Sequence, residues 1–127
     1  MPNNNRRRGD EFERRTKADL EMRGWVVVRS AGSLGPADLV ALHHSRPPII
    51  VSCKIPGYLR PTENDVLIET SLRSGAIPLM AYVFRDNVQS HVAYKAITKP
   101  KTQWGRAFMA RWATHNHDDG GTEAVIP

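Results

Sequence analysis

The six residues IIVSCK, at positions 49–54, constrain the fold more than any other stretch of the sequence. They begin with three apolar β-branched residues, which is typical of a strand that is buried on both faces. Pro56, Gly57 and Pro61 follow within a few residues and break the strand. Because such a strand needs a covering layer on each side, the chain is expected to form a sheet between helices.

Hydrophobic periodicity predicts the elements around this strand. A helix is predicted over residues 10–23, because Phe12, Thr16 and Leu20 recur every four residues before Gly24. Further strands are predicted at residues 25–28, 37–42, 77–84 and 89–94, helices at 63–74 and 104–112, and a loop at 31–36. This order predicts an α/β fold with a central mixed five-stranded sheet flanked by helices.

A length of 127 residues predicts one domain. Residues 1–9 are expected to be a flexible basic arm, residues 10–97 the folded domain, and residues 98–127 a basic aromatic extension with a loose tail. No apolar run approaches the roughly 20 residues needed to cross a bilayer, and the start MPNNNRRRG lacks the apolar centre of a secretion signal. An intracellular protein without membrane contact is therefore expected.

The basic residues are clustered. The formal net charge is +5, and the segment from Lys95 to Trp112 holds five basic residues and no acid. Arg6, Arg7 and Arg8 form a second cluster. Such patches commonly neutralise a polyanion such as nucleic acid, although a solubilising tail and a frayed terminus would have the same composition.

Asp38 and Lys54 are expected to meet at one end of the sheet. Side chains alternate along a strand, so Ser52 and Lys54 point to one side and Cys53 points to the other. If the strands at 37–42 and 49–54 form an antiparallel pair, Asp38 at the start of one approaches Lys54 at the end of the other. Taken alone, this pair could be a surface salt bridge worth at most about 1 kcal/mol.

Five segments extend this pattern along the chain: RGDEFER (8–14), RGWVVVRSAGS (23–33), ADLVA (37–41), VSCK (51–54) and SGAIPLMAYVF (74–84). In order and spacing they resemble the archaeal Holliday junction resolvase family, a branch of the PD-(D/E)xK nuclease superfamily. The resemblance covers residues 8–94. It implies a restriction-endonuclease-like core and a metal-dependent endonuclease that cuts branched DNA, leaving 5′-phosphate and 3′-hydroxyl ends.

The resemblance also implies roles for individual residues. By position, Glu13 matches the acid on the family's first helix, Asp38 the superfamily aspartate and Lys54 the superfamily lysine. Arg29 and Ser33 fall in the loop that resembles the family's DNA-contacting and catalytic loop. The residues expected to bind DNA are Arg6, Arg7, Arg8, Arg14, Arg29, Ser30, Ser33 and Arg60.

One residue departs from the family pattern, because Ser52 stands where the family has glutamate. Some restriction endonucleases with Ser-x-Lys supply the missing acid from the following helix, which here offers Glu63 and Glu69. The helix dipole is a sufficient reason for an acid at Glu63, in the first turn. Glu69 falls beside apolar positions, 15 residues after Lys54, and is chosen as the replacement. The alternative for Glu69 is an ion pair with Arg73 at i+4.

The expected catalytic set is Glu13, Asp38, Ser52, Lys54 and Glu69. Of these, Asp38, Glu69 and Glu13 would hold Mg²⁺ or Mn²⁺, since Mg²⁺ prefers one or two carboxylates plus waters. A bound metal ion would activate water and stabilise the charge that builds up on the phosphate.

The family resemblance implies a homodimer, because resolving a four-way junction takes two matched cuts. Trp104, Phe108 and Trp112, four residues apart, and the apolar face of the second predicted helix are candidate dimer surfaces. The aromatic residues could equally cover a sheet edge.

Two alternatives to a Holliday junction resolvase stay open. The first is a related nuclease of flaps, single strands or specific duplex sites. The second is a catalytically inactive protein that binds structured DNA.

Overall fold

The structure is a computed structural model, which describes residues 4–115 of the chain. The helices are α1 (Asn4–Met22), α2 (Pro61–Ser74) and α3 (Gln103–His115). The strands are β1 (Val26–Leu34), β2 (Ala37–Leu42), β3 (Ile49–Cys53), β4 (Ile77–Arg85) and β5 (Ser90–Ala96).

The strands form one sheet in the order β1-β2-β3-β4-β5. Among the strands of residues 4–115, the β3–β4 pair alone is parallel, and the other three pairs are antiparallel. A parallel pair needs a crossover, and α2 provides it between β3 and β4. The prediction of a mixed five-stranded sheet flanked by helices is confirmed.

The sheet is covered on both faces. On one face, Phe12 and Leu20 of α1 pack against Leu39, Val51 and Leu79 of the sheet. On the other face, residues of α2 pack against β3 and β4; the buried residues of this second cluster are Ala37, Ile50, Leu67, Ile68, Met80 and Ile97. The first four residues of β3 are buried, as the IIVS sequence predicted.

Helix α1 begins at Asn4, earlier than the sequence predicted. Residues 4–9, expected to be part of a flexible arm, are therefore helical. Periodicity missed these residues because no hydrophobic side chain occurs between Asn3 and Phe12. An i,i+4 ion pair between Arg7 and Glu11 lies in this part of the helix. Residues 1–3 of the predicted arm lie outside the described part of the chain.

Strand β1 continues through most of the predicted loop at residues 31–36. Its pairing with β2 shifts between Arg29 and Leu34, since five steps along β1 oppose two steps along β2. Ala31 and Gly32 lie inside this bulge with φ values of 52° and 84°. The extra residues leave regular pairing, so the segment combines the hydrogen bonds of a strand with the irregular backbone of a loop.

Asp65 of α2 holds the segment that leads into α3. It is 1% exposed and accepts hydrogen bonds from the backbone N–H groups of Lys101 and Thr102 and from the Thr102 hydroxyl. A Cβ built at Gly105 would overlap the Asp65 carboxylate, so the close approach of the two helices depends on glycine. Residues 98–115 are thus part of the fold, and the predicted loose tail from residue 116 lies outside the described residues.

No helix within residues 4–115 is long and apolar enough to span a membrane.

Because β2 and β3 are antiparallel, the start of β2 and the end of β3 lie at the same end of the sheet. The chain reaches the first turn of α2 shortly after β3 ends, and this brings residues of three elements to that end.

Candidate active site

Asp38 lies where the β2–β3 ladder ends. The last paired residues are Leu39 and Val51, and beyond them the backbone N–H of Cys53 donates to Asp38 Oδ2 at 2.7 Å. Burial raises the pKa of Asp38, and it outweighs the lowering by the Cys53 N–H and by the positive charge of Lys54. Asp38 is therefore a carboxylate fixed by the backbone in a partly desolvated position.

Lys54 follows the last residue of β3. Its backbone N–H donates to the carbonyl of Ala81 at 2.9 Å, and its Nζ donates to Glu63 Oε2 at 3.0 Å. The charge of Lys54 also lowers the pKa of Asp38, so the ammonium group lies within electrostatic range of both carboxylates. This juxtaposition of Asp38 and Lys54 agrees with the expectation from their positions at the start and end of adjacent strands.

Glu63 is the acid that the structure brings to Lys54. It lies in the first turn of α2, where its Oε1 also accepts from the backbone N–H of Arg60 at 3.3 Å. Burial alone would raise the pKa of Glu63, but the hydrogen bond and charge of Lys54 outweigh burial and lower it. The negative charge of Glu63 in turn raises the pKa of Asp38, so the two carboxylates interact.

Glu69, the residue chosen from the sequence, has a different partner. Its Oε1 forms an ion pair with Arg73 Nε at 3.1 Å, which was the alternative considered for it. Glu69 is six residues after Glu63, which in an α-helix corresponds to about 9 Å along the axis and roughly 120° around it. The structure thus places Glu63 rather than Glu69 next to Lys54, and the catalytic role of an acid from α2 stays a prediction.

Glu13 approaches the same end of the sheet from α1. Burial raises the pKa of Glu13, the charge of Asp38 raises it further, and Arg29 opposes both. The guanidinium of Arg29 lies 3.4 Å from Glu13 Oε1 and 3.6 Å from Asp10 Oδ1. Arg29 therefore connects β1 to two acids of α1.

Ser30 and Ser33 lie in the bulge of β1, and their hydroxyls bond to the backbone. The Ser30 hydroxyl donates to the carbonyl of Ala37, next to Asp38, and the Ser33 hydroxyl donates to the carbonyl of Ser30. These bonds shape the bulge beside Asp38. Ser33 remains exposed.

Ser52 is fully buried, and its hydroxyl has no hydrogen-bond partner within residues 4–115. It pairs with Met80 in the parallel ladder, and strand alternation places it on the same side as Ile50, under α2. A buried hydroxyl in this position is not available to a ligand from solvent. Its expected catalytic role therefore has no support from the geometry.

The predicted DNA-binding arginines occupy different parts of the surface. Arg8 and Lys54 line one pocket of about 270 Å³ at the junction of α1 and β3, so Arg8 is the arginine of the basic cluster that the structure brings to the site. Arg7 pairs with Glu11, and Arg6 and Arg14 are exposed on α1. Arg60 caps α2 beside Glu63.

The donor set suits a divalent ion in part. Within residues 4–115, no three His, Cys, Asp or Glu side chains converge as ligands of one ion. Mg²⁺ in proteins is commonly held by one or two carboxylates and completed by water or substrate oxygens. Asp38 interacts with both Glu13 and Glu63, and these interactions between negative charges raise the pKa of Glu13 and of Asp38. A cation would relieve this repulsion, so a two-carboxylate site is chemically consistent with these residues.

Two site residues were missed or undervalued in the sequence. Asp10 shares Arg29 with Glu13, and no motif assigned it a role; its place one helical turn before Glu13 was the available signal. Glu63 was set aside because a helix dipole explained it. Its position soon after the strand that carries Lys54 was the better signal.

Comparisons with known proteins found a family model and a solved structure that are similar to this chain. The family model described as archaeal Holliday junction resolvase (Hjc) matches residues 4–104. The solved structure of Hjc, a Holliday junction resolvase from the archaeal hyperthermophile Archaeoglobus fulgidus, is similar with a TM-score of 0.52 and 20% sequence identity. The similarity covers 68% of this chain and 83% of that chain, and it extends to the fold. A comparison with curated protein sequences gave no match.

Proposed function

Since the chain belongs to the archaeal Holliday junction resolvase family, whose members are nucleases of branched DNA, we propose that it cuts four-way junctions at the end of the sheet where Asp38, Lys54 and Glu63 meet. The observation that carries this proposal is the 3.0 Å distance between Lys54 Nζ and Glu63 Oε2, beside a backbone-bound Asp38. An acid from α2 thus stands beside the lysine in a chain whose Ser-x-Lys lacks the usual acid.

Asp38 and Glu63 are the residues that would hold a divalent ion, Mg²⁺ or Mn²⁺, and Glu13 is near enough to Asp38 to support it through water. Such an ion, when bound, supplies an activated water and neutralises charge on the phosphate. Glu63 takes the role that the sequence pattern had assigned to Glu69. This assignment predicts that exchanging the carboxylate at position 63, and not at position 69, removes activity.

The other residues of the site position the substrate and its charge. Lys54 places its side-chain nitrogen beside the carboxylates, where it would donate to the attacking water or to a non-bridging phosphate oxygen. Arg8, in the same pocket as Lys54, would bind a phosphate of the strand to be cut. Arg29 acts on Glu13, so its role is to position that acid.

A homodimer is part of the proposal, since two matched cuts need two such sites. Trp104, Phe108 and Trp112 stack along α3 with ring-centroid distances of 6.2 and 5.9 Å, and Trp104 is 45% exposed. A groove of about 340 Å³ between α2 and α3, lined by Leu72 and Trp112 among others, adjoins this row. These apolar surfaces are the candidate interface. Sedimentation of the wild type and of Trp104→Glu tests it, and an unchanged monomer mass in both would contradict it.

A second candidate function is binding of structured DNA without cleavage. Two observations favour it: the serine at position 52 and the lack of three converging ligands within residues 4–115. Both candidates act on DNA, so the protein is expected to work inside the cell.

The experiment that separates them uses labelled four-way junction, flap, single strand and matched linear duplex, each with Mg²⁺, Mn²⁺ or chelator. We expect paired cuts in the junction, dependent on the metal, and loss of cutting but not of binding in Asp38→Asn. Tight junction binding with no cutting under any metal would identify the protein as a binding module. Preferred cutting of the flap or the duplex would assign it another nuclease substrate.

A further inference from the structure

A pocket with three lysines lies outside the candidate active site. It has a volume of about 350 Å³ and is lined by Lys95, Lys99 and Lys101 together with Asn64 and Thr98, among others, and no acid of residues 4–115 lines it. All three lysines are exposed, and none forms an ion pair with an acid of residues 4–115. Three ammonium groups around a small concave surface suit a phosphate group.

The backbone that carries the lysines is held at several points. Ile97, which is buried, donates its N–H to the carbonyl of Pro78 at 3.0 Å. The Asn64 amide donates to the carbonyl of Lys99 at 2.9 Å, and the N–H of Lys101 donates to Asp65 at 2.7 Å. The lysines therefore project from the end of β5 and from the fixed segment that follows it, which lowers the entropy cost of binding an anion.

The lysine pocket is next to the active site along α2. Glu63, which bonds to Lys54, and Asn64, which lines the pocket, are consecutive residues, so their Cα atoms are about 3.8 Å apart. The site and the pocket thus contact adjacent positions of α2, so a DNA strand that reaches Lys54 can run on towards the lysine pocket.

We propose that Lys95, Lys99 and Lys101 bind a backbone phosphate of the DNA substrate and act as a second anchor beside the cleavage site. This inference rests on the proposed function for the identity of the polyanion. The charge decides the occupant: the pocket carries three lysines and no acid of residues 4–115, so a second copy of the same pocket would be repelled. Because lysines that bind phosphate carry no base specificity, the anchor strengthens binding to junction and duplex alike.

The test measures DNA binding by full-length Asp38→Asn protein at several salt concentrations. One variant adds K95Q/K99Q/K101Q, and the control adds K17Q/R23Q/R46Q, which removes the same number of charges; Arg46 lies in the turn at the other end of β2 and β3. We expect the lysine-pocket variant to bind a four-way junction and a duplex about tenfold more weakly. We also expect the slope of log K against log salt to fall by about 0.9 for each phosphate that the variant no longer binds. An effect no greater than that of the control overturns the proposal.

Lysine acetylation followed by mass spectrometry gives a second measurement on the unsubstituted protein. Junction DNA should protect Lys95, Lys99 and Lys101 and leave Lys17 reactive. Equal protection by polyglutamate at the same charge concentration, or protection by higher protein concentration alone, overturns the DNA assignment in favour of an acidic peptide or a second copy. Junction cutting by the wild type without protection of the three lysines refutes the anchor only. Absence of DNA binding by the unsubstituted protein refutes both the phosphate anchor and the proposed function.

Discussion

Replacing Asp65 with alanine measures how strongly one buried carboxylate holds the segment between the sheet and α3. Asp65 accepts four hydrogen bonds, at 2.6–2.9 Å, from Asn64 Nδ2, Lys101 N–H, Thr102 N–H and the Thr102 hydroxyl. A hydrogen bond to a charged group contributes about 1.5–3 kcal/mol when it is measured singly, and neighbouring bonds do not add.

The structure indicates which of the four bonds dominate. Lys101 is exposed, so its N–H can bond to water in the variant, and Asn64 keeps its bond to the carbonyl of Lys99. The two bonds from Thr102 are the principal loss. We therefore expect Asp65→Ala to lower the free energy of unfolding by about 3 kcal/mol, which corresponds to a fall in Tm of about 10 °C.

Urea denaturation followed by circular dichroism at pH 7 is the assay, with Asp86→Ala as the control. Asp86 also accepts two backbone N–H bonds, from Val88 and Gln89, but it is exposed in the turn between β4 and β5. The control should lose much less stability than Asp65→Ala. A loss below about 1 kcal/mol in Asp65→Ala would refute the reasoning.

The same carboxylate predicts a dependence on pH. Burial raises the pKa of Asp65, but hydrogen bonds from Thr102, Asn64 and Lys101 outweigh burial and lower it. Because the folded pKa lies below that of the unfolded chain, the charged form stabilises the fold above the unfolded value of about 4. This contribution is lost as the pH falls through the folded pKa. The difference between wild type and Asp65→Ala should shrink below about pH 4, and a constant difference would speak against it.

Three further substitutions test individual features of the fold and the site. Gly105→Ala should lower the free energy of unfolding because the new Cβ overlaps the Asp65 carboxylate. This overlap should outweigh the helix preference of alanine over glycine, about 1 kcal/mol. Thermal unfolding measures the change in Tm, and a rise in Tm would argue against the close approach of Gly105 to Asp65. Ser52→Ala should raise the free energy of unfolding by about 1 kcal/mol and leave junction cutting unchanged, because the deleted hydroxyl has no hydrogen-bond partner within residues 4–115. The control Ser71→Ala, which removes a 2.7 Å hydrogen bond, should not raise the free energy of unfolding. Asp38→Asn should raise Tm at pH 7 in chelator, because the raised pKa of Asp38 means that its charged form destabilises the fold. The gain in Tm should vanish below about pH 4, where Asp38 is protonated in both the folded and the unfolded chain. A lower Tm of the variant at pH 7 would contradict this reasoning.

The five strands and their places along the chain could be predicted from the sequence because each strand carries a local signal. The IIVS run of β3 and the four-residue recurrence of Phe12, Thr16 and Leu20 on α1 correspond to positions that the structure buries. The start of α1 had no such signal, because residues 4–9 are polar and periodicity cannot mark the end of a solvent-exposed turn. The hydrogen bonds that continue β1 through the bulge depend on β2, which lies outside the local sequence.

The candidate-site residues that lie on strands or directly after them could be placed from the sequence, whereas the residue that lies on α2 could not. Asp38 and Lys54 had to meet once β2 and β3 were antiparallel. The choice between Glu63 and Glu69 depended on where α2 begins relative to the sheet, and this is set by the loop after β3 and not by the helical pattern. The local pattern around Asp65 indicates only a capping residue, since its partners lie 36 and 37 residues further along the chain.

Single-turnover cleavage of a labelled four-way junction by Glu63→Gln and Glu69→Gln, in saturating Mg²⁺, tests the central claim most directly. Both variants exchange one carboxylate of the same helix for an amide of equal size, so each serves as the control for the other. We predict that Glu63→Gln cuts at least about 100-fold more slowly and that Glu69→Gln stays within about threefold of the wild type. Slow cutting by Glu69→Gln with normal cutting by Glu63→Gln would contradict the account.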